Sequence, residues 1–182
     1  MKRITRYLAL IIAIIAIGLS AANAQSYSVR SSKTIEQQVY KKLRGMIHNG
    51  VFDHIAFQVN GSTVILDGKV NSLGAKSEAA SVVKRVEGVT RVVNNIEELP
   101  PSPYDDRIRR AALRAFESGG LGRYFWEINP DVRIIVERGR ITLEGFVYNS
   151  GDRNAMNIYA NGIPGVFQVT NNLIVGKDTR RS

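Results

Sequence analysis

Arg107, Arg110 and Arg114 recur at i, i+3 and i+7, the spacing that stacks three guanidinium groups along one helix face, with Arg109 beside them. A guanidinium fork donates two parallel hydrogen bonds to a phosphate or carboxylate, where lysine offers only a point charge. Such a strip suits an anionic surface, phospholipid headgroups in particular; the bland alternative is a solvated helix face. Just downstream, "GLGRYFWEINP" groups Leu121, Tyr124, Phe125 and Trp126 between glycines, with Arg123 among them. Aromatic and basic groups mixed in this way sit well at a lipid–water interface. The same aromatics between a helix and a strand would also plug a small core, although Trp126 is the one that core packing explains least. The candidate lipid-contacting set is therefore Arg107, Arg110, Arg114, Arg123, Tyr124, Phe125 and Trp126. From residue 101 onward there are eleven arginines and one lysine, Lys177, whereas residues 25–100 mix six lysines with four arginines and carry Lys41, Lys42 and Arg44 on their first helical stretch.

Other chemistries find little support. His48 and His54 lack the i, i+4 or i, i+2 spacing that aims two imidazoles at one ion, and the chain has no cysteine, so no metal site is expected. Gly-x-Ser-x-Gly, phosphate-loop and dinucleotide fingerprints are missing, and no cofactor or catalytic constellation is expected. Asp67 and Glu144 stand just before Gly68 and Gly145 at equivalent places and are expected to face solvent or steady a turn.

The elements that must position these residues are written twice. Gly68, Gly88 and Asn95 recur as Gly145, Gly165 and Asn172 at a constant offset of 77, so that "GVTRVVNNI" lies on "GVFQVTNNL". Val64, Leu66 and Val70 meet Ile141, Leu143 and Val147 in the same frame. Upstream, Ile35 and Val39 meet Ile108 and Ala112 at an offset of 73, which places four extra residues in the second copy within "ESGGLGRYFWEINP". Each copy opens with a helical face, Ile35, Val39, Leu43 and Met46 in one and Ile108, Ala112, Ala115 and Phe116 in the other. Two alternating stretches follow, broken by Asn60-Gly61 or Arg138-Gly139, the first a strong hairpin cue because both central residues of the tight turn need positive φ. A second helix buries Ala75, Ala79, Val82, Val83 and Val86, or Met156, Tyr159, Ala160 and Ile163, and ends at Gly88 or Gly162 as a left-handed cap. A last strand completes the unit, entering the sheet parallel to an earlier one, with the paired asparagines satisfying loose backbone groups. The repeated sentence reads as a folding signature.

Before the repeats, Lys2, Arg3 and Arg6 precede an apolar run and then Ala22-Asn23-Ala24, the pattern of a cleaved secretory signal over residues 1–24, with an uncleaved anchor as the runner-up. Its loss would lower the formal charge from +9 to +6 and leave 158 residues, still basic enough to favour anionic partners. Export argues against DNA or RNA as the partner, and the missing cysteine argues against a lipoprotein anchor. Pro100, Pro101 and Pro103 read as a short, stiff linker.

"VILDGKVNS…VEGVTRVVNNI" and "ITLEGFVYN…IPGVFQVTNNL" both resemble the BON domain, named for bacterial OsmY and nodulation proteins. The resemblance implies an α+β fold of two tandem αββαβ modules, each a small three-stranded mixed sheet with two helices on one face. The expected organisation is a signal peptide at 1–24, an N-terminal segment at 25–32, modules at 33–99 and 104–176, a linker at 100–103 and a tail at 177–182. The resemblance further implies a non-catalytic periplasmic module of envelope integrity or osmotic and envelope stress, with phospholipid binding proposed for some members. A reading of a different class is a protein-interaction or chaperone-like stress module that uses exposed sheet edges and envelope-protein partners without lipid affinity.

Overall fold

The computed structural model describes residues 34–126 and 129–176; the expected signal peptide, residues 25–33 and the tail at 177–182 lie outside them. Helix α1 covers 34–44. Strands β1 (His54–Asn60) and β2 (Thr63–Val70) form an antiparallel hairpin, helix α2 (Ala75–Lys84) crosses over, and β3 (Arg91–Asn94) returns parallel to β2. A two-residue strand β4 (Glu97–Glu98) continues along β2, so the third strand of this module is broken in two. The second module repeats the order with α3 (Pro103–Phe116), β5 (Val132–Glu137), β6 (Arg140–Val147), α4 (Ser150–Asn161) and an unbroken β7 (Gln168–Val175). The fold is therefore α+β, two αββαβ units built on two small mixed sheets.

Each module has its own core, and the periodic residues make it. Ile35, Val39, Leu43 and Met46 pack with Ala75, Ala79 and Val83 over Val64, Leu66 and Val70. Ile108, Ala112, Phe116, Met156 and Ala160 pack in the same way over Ile134, Val136, Ile141 and Leu143. Full burial of one such aliphatic side chain is worth about 1.5–3 kcal/mol. Tyr159, expected on the buried face of α4, is instead 38% exposed. Helix α3 starts where local chemistry demands it: Ser102 is extended, its hydroxyl accepts from Asp105 N, Pro103 stands at the first helical positions, and Asp105 and Asp106 meet the positive helix end.

Two glycines are imposed by the sheets. Gly68 and Gly145 have φ of +133° and +119°, and a Cβ on either would lie 2.1 or 2.0 Å from the carbonyl oxygen of His54 or Asp131 on the neighbouring strand. The "D/E-G" step is thus a place where two backbones touch. The hairpin cue locates the turn but not its residues in the first module: Asn60 pairs with Thr63, so Gly61-Ser62 is the loop, and Gly61 alone of the two has positive φ. In the second, Arg138 and Gly139 both have positive φ, +50° and +73°, the geometry of a type I′ turn. Gly162 is not a left-handed cap, its φ being −80°; the left-handed glycine lies further on, Gly165 at +90°, matching Gly88 at +86°.

The first module's 49–52 loop lies against β5. The outward-facing Ile134 N–H donates to Val51 O at 2.8 Å, and Val51 and Phe52 pack against the second core. Arg133, 8% exposed, donates to Gly50 O at 2.7 Å and to the Asn129 side chain, while Lys69 pairs with Glu97 and Glu137. Two outward backbone groups of β5 are satisfied in this way, Ile134 N by Val51 O and Val136 O by Arg109, which donates to it at 2.6 Å.

Candidate functional site

The repeated asparagine pair does the same work in both modules. Asn94 Nδ2 donates to Lys76 O and Asn171 Nδ2 to Arg153 O, tying the last strand to the second helix. Their Oδ1 atoms accept from Ile96 N and Leu173 N, two residues further along the chain. Asn95 donates to Asp67 at 3.0 Å and Asn172 to Glu144 at 2.7 Å, across to the central strand. Asp67 and Glu144 are acceptors for these amides, a structural task.

Sites that could differ between modules lie elsewhere. Arg107, Arg110 and Arg114 are all exposed on α3 and, with Tyr104, Ala111 and Pro164, line a groove of about 430 Å³. Their Cα positions span about 10 Å at 1.5 Å per residue. Among the described residues none of the three makes an ion pair with a carboxylate; Arg107 lies over the Tyr104 ring at 5.6 Å. Arg109 leaves the strip. It is 2% exposed, salt-bridged to Asp106 at 2.6 Å, and holds the β5 edge.

Phe167, 76% exposed, does not line that groove but stacks on Tyr104, which does, with ring centroids 6.5 Å apart. Tyr104 OH donates to Gly165 O at 2.6 Å, so the ring pair is fixed to the turn that follows α4. Phe167 lies over Gly139, where a Cβ would come within 2.6 Å of the ring. The hairpin tip itself is held by Asp105, whose carboxylate accepts from Arg138 N at 3.0 Å and Gly139 N at 2.8 Å. Tyr104 and Phe167 are members of the constellation that sequence reasoning missed. A signal existed, since the 77-residue frame places Phe167 on Thr90.

The insertion divides. Tyr124 and Phe125 are core residues, 0% and 9% exposed, with Phe125 stacked on Phe116 at 5.7 Å, which removes both from the lipid-contacting set. Tyr124 OH donates to Asp152 at 2.5 Å and accepts from Tyr148 N at 3.0 Å. Burial, with the Asp152 bond added, pushes the Tyr124 phenol up. Partial burial works against ionisation of Asp152, yet the bonds from Tyr124 and Arg123 hold its carboxyl below the usual carboxylate range. Arg123 is a tie rather than a free cation, bonded to Asp152 at 2.5 Å and to Gly120 O at 2.8 Å. Trp126 is 78% exposed, its ring over Gly122, and is not among the residues lining the groove.

The histidines stand apart. His48 Nδ1 meets Glu78 at 2.8 Å, and His54 begins β1. Among the described residues no three of His, Cys, Asp and Glu group as a metal site would require.

Two small α+β units, one of them bearing a cationic groove capped by an exposed aromatic, define a tandem binding module. The BON domain model matches residues 31–100 and again 105–177, and the chain belongs to that family. BON domains are generally non-catalytic binding modules, and no enzymatic family is indicated. No curated protein matches the chain. Among solved structures, the C-terminal domain of CdsD, a structural protein of the type III secretion system of Chlamydia trachomatis, is 13% identical with a TM-score of 0.32, covering 75% of this chain and 96% of that one. A second CdsD structure is also 13% identical, with a TM-score of 0.33, covering 79% and 94%.

Proposed function

We infer that this is an exported module that docks on an anionic phospholipid surface of the cell envelope through the end of its second unit. The observation that carries the reading is the shared groove: three exposed arginines with no carboxylate partner among the described residues, beside the exposed Phe167 ring. Each basic side chain near an anionic bilayer contributes about 1 kcal/mol, so the contact is weak, reversible and sensitive to salt. An aromatic ring at headgroup depth adds apolar contact that salt does not screen. A periplasmic role in envelope integrity or stress accords with this chemistry and with the leader-like residues 1–24.

Strand addition by an envelope protein is the competing reading. Sheet edges are guarded in several places: Val51 O and Arg109 occupy the β5 edge, and the Asn94 and Asn171 side chains take Ile96 N and Leu173 N. Those guards favour the lipid reading.

Cosedimentation with phosphatidylglycerol-rich and with neutral vesicles, at low and high salt, tests it. Expected is binding to the anionic vesicles alone that falls steeply with salt. Absence of binding at low salt overturns the reading and leaves the protein-partner alternative. Trp126, the single tryptophan, locates the contact: its emission stays in place if the Phe167 end docks and moves to the blue if the insertion does.

A further inference from the structure

Arg138 is the described non-glycine residue with positive φ, +50°. The equivalent position in the first module is Gly61, φ +62°, where the conformation is free of the Cβ clash that left-handed backbone imposes on other residues. The second module therefore holds an arginine where its own repeat uses glycine. Asp105 supports the strained turn by accepting both of its N–H groups. A conformational cost kept in place by a dedicated carboxylate points from the outlier towards a task for the side chain.

The position suggests the task. The Gly139 backbone lies under the Phe167 ring, Phe167 stacks on Tyr104, and Arg107 lies over Tyr104. Arg138 and Arg140 line a second cleft, separate from the α3 groove, of about 230 Å³ with Gln168 and Thr170. Glu137 lines it too, and is bonded to Lys69. Phe167 links the two arginine-bearing clefts: it stacks on Tyr104, which lines the first, and precedes Gln168, which lines the second.

We propose that Arg138 is a second-flank contact to the anionic phospholipid surface, so that the protein docks end-on, with Phe167 as the apolar point between the α3 arginines and the hairpin-tip arginine. This rests on the lipid reading above. End-on docking brings three separate chain segments to the bilayer: the start of α3, the β5–β6 turn and the turn after α4. A flank-on contact by α3 alone would leave Arg138 idle and its strain unexplained.

The test uses the full chain with Arg138→Asn and Arg138→Lys. Asn-Gly is the favoured type I′ pair, so Arg138→Asn eases the turn while removing the cation. It is expected to raise the second module's melting temperature by about 2–4 °C and to weaken binding to phosphatidylglycerol-rich vesicles by about fivefold. Arg138→Lys keeps the charge and the strain and is expected to bind within twofold of the parent, by the same per-cation rule. An Arg138→Asn protein that is more stable and binds as tightly as the parent overturns the proposal and leaves the lipid reading intact. One that loses stability together with binding also overturns it, since the effect would then be structural. Failure of the parent protein to bind the vesicles removes the underlying reading, a result separable from either variant outcome.

Discussion

At the hairpin end of the first module, Ser62 and Thr90 share a hydrogen bond between hydroxyls at 2.8 Å, and Thr90 N donates to Ser62 O. At the same place in the second module, Gly139 and Phe167 keep the backbone bond, Phe167 N to Gly139 O at 2.9 Å, and replace the polar pair with an exposed ring over a glycine. The scaffold is the same and the surface is not. Duplication preserved what the backbone needs, the strand-crossing glycines and the asparagine ties. It released the ends, where side chains meet solvent. The loop before the second helix shows the same freedom: Asp53 holds it in the first module by accepting from Asn71 N, Ser72 N and Ser72 Oγ, whereas the Tyr124 hydroxyl accepts from Tyr148 N in the second.

The comparison is broken most severely at the shared glycines. Gly68→Ala and Gly145→Ala each force a Cβ into a neighbouring carbonyl, and each is expected to cost roughly 3–5 kcal/mol; urea unfolding that shows a large loss in one module and a small one in the other would disprove the equivalence. Next in size is function. Reversing Arg107, Arg110 and Arg114 to Glu removes about 3 kcal/mol of surface attraction, more than 100-fold in vesicle affinity, while Lys41→Glu with Lys42→Glu changes it far less. Equal losses from both sets would mean that the modules do not divide labour.

The loop ties come third. Asp53→Ala strips a carboxylate from several donors and is expected to cost about 2–3 kcal/mol, and Tyr124→Phe, which keeps the packing and loses a neutral hydroxyl, about 1 kcal/mol. Thermal unfolding of the two variants reads that ranking, and its reversal would show the tyrosine tie to be the stronger. Acid gives the smallest effect. Asp152 is held below its ordinary pKa in the folded state, so its contribution is complete above its unfolded value, about 3.9, and is lost as pH falls through the lower folded value. A pH series of melting temperatures should therefore fall less steeply below pH 4 in Asp152→Asn than in the parent.

Much of the fold was legible because it follows from local rules. Helical faces such as Ile35, Val39, Leu43 and Met46 are read from spacing, and they are the residues that are buried. Where local rules were ambiguous the reading slipped by a residue or a few: the first hairpin turns at Gly61-Ser62 rather than Asn60-Gly61, and the left-handed glycine of the second module is Gly165 rather than Gly162. The site was half legible. Arginines at i, i+3 and i+7 announce a face, yet the same spacing did not separate exposed Arg110 from buried Arg109, whose fate depends on the β5 edge that it satisfies. Trp126 already stood out in sequence as the aromatic that core packing explains least, but that Tyr124 and Phe125 are both buried only the core could decide.

The sequence by itself determined the repeat, the order of elements, the apolar faces and the basic strip, because periodicity and backbone preference act between near neighbours. Tertiary structure alone decided that Tyr104 and Phe167 meet over Gly139, that Arg109 is buried and that the first module's loop covers β5. Those outcomes join residues 27 to 84 positions apart, and they are set by which backbone groups a packed sheet leaves unpaired and which side chains lie near enough to satisfy them.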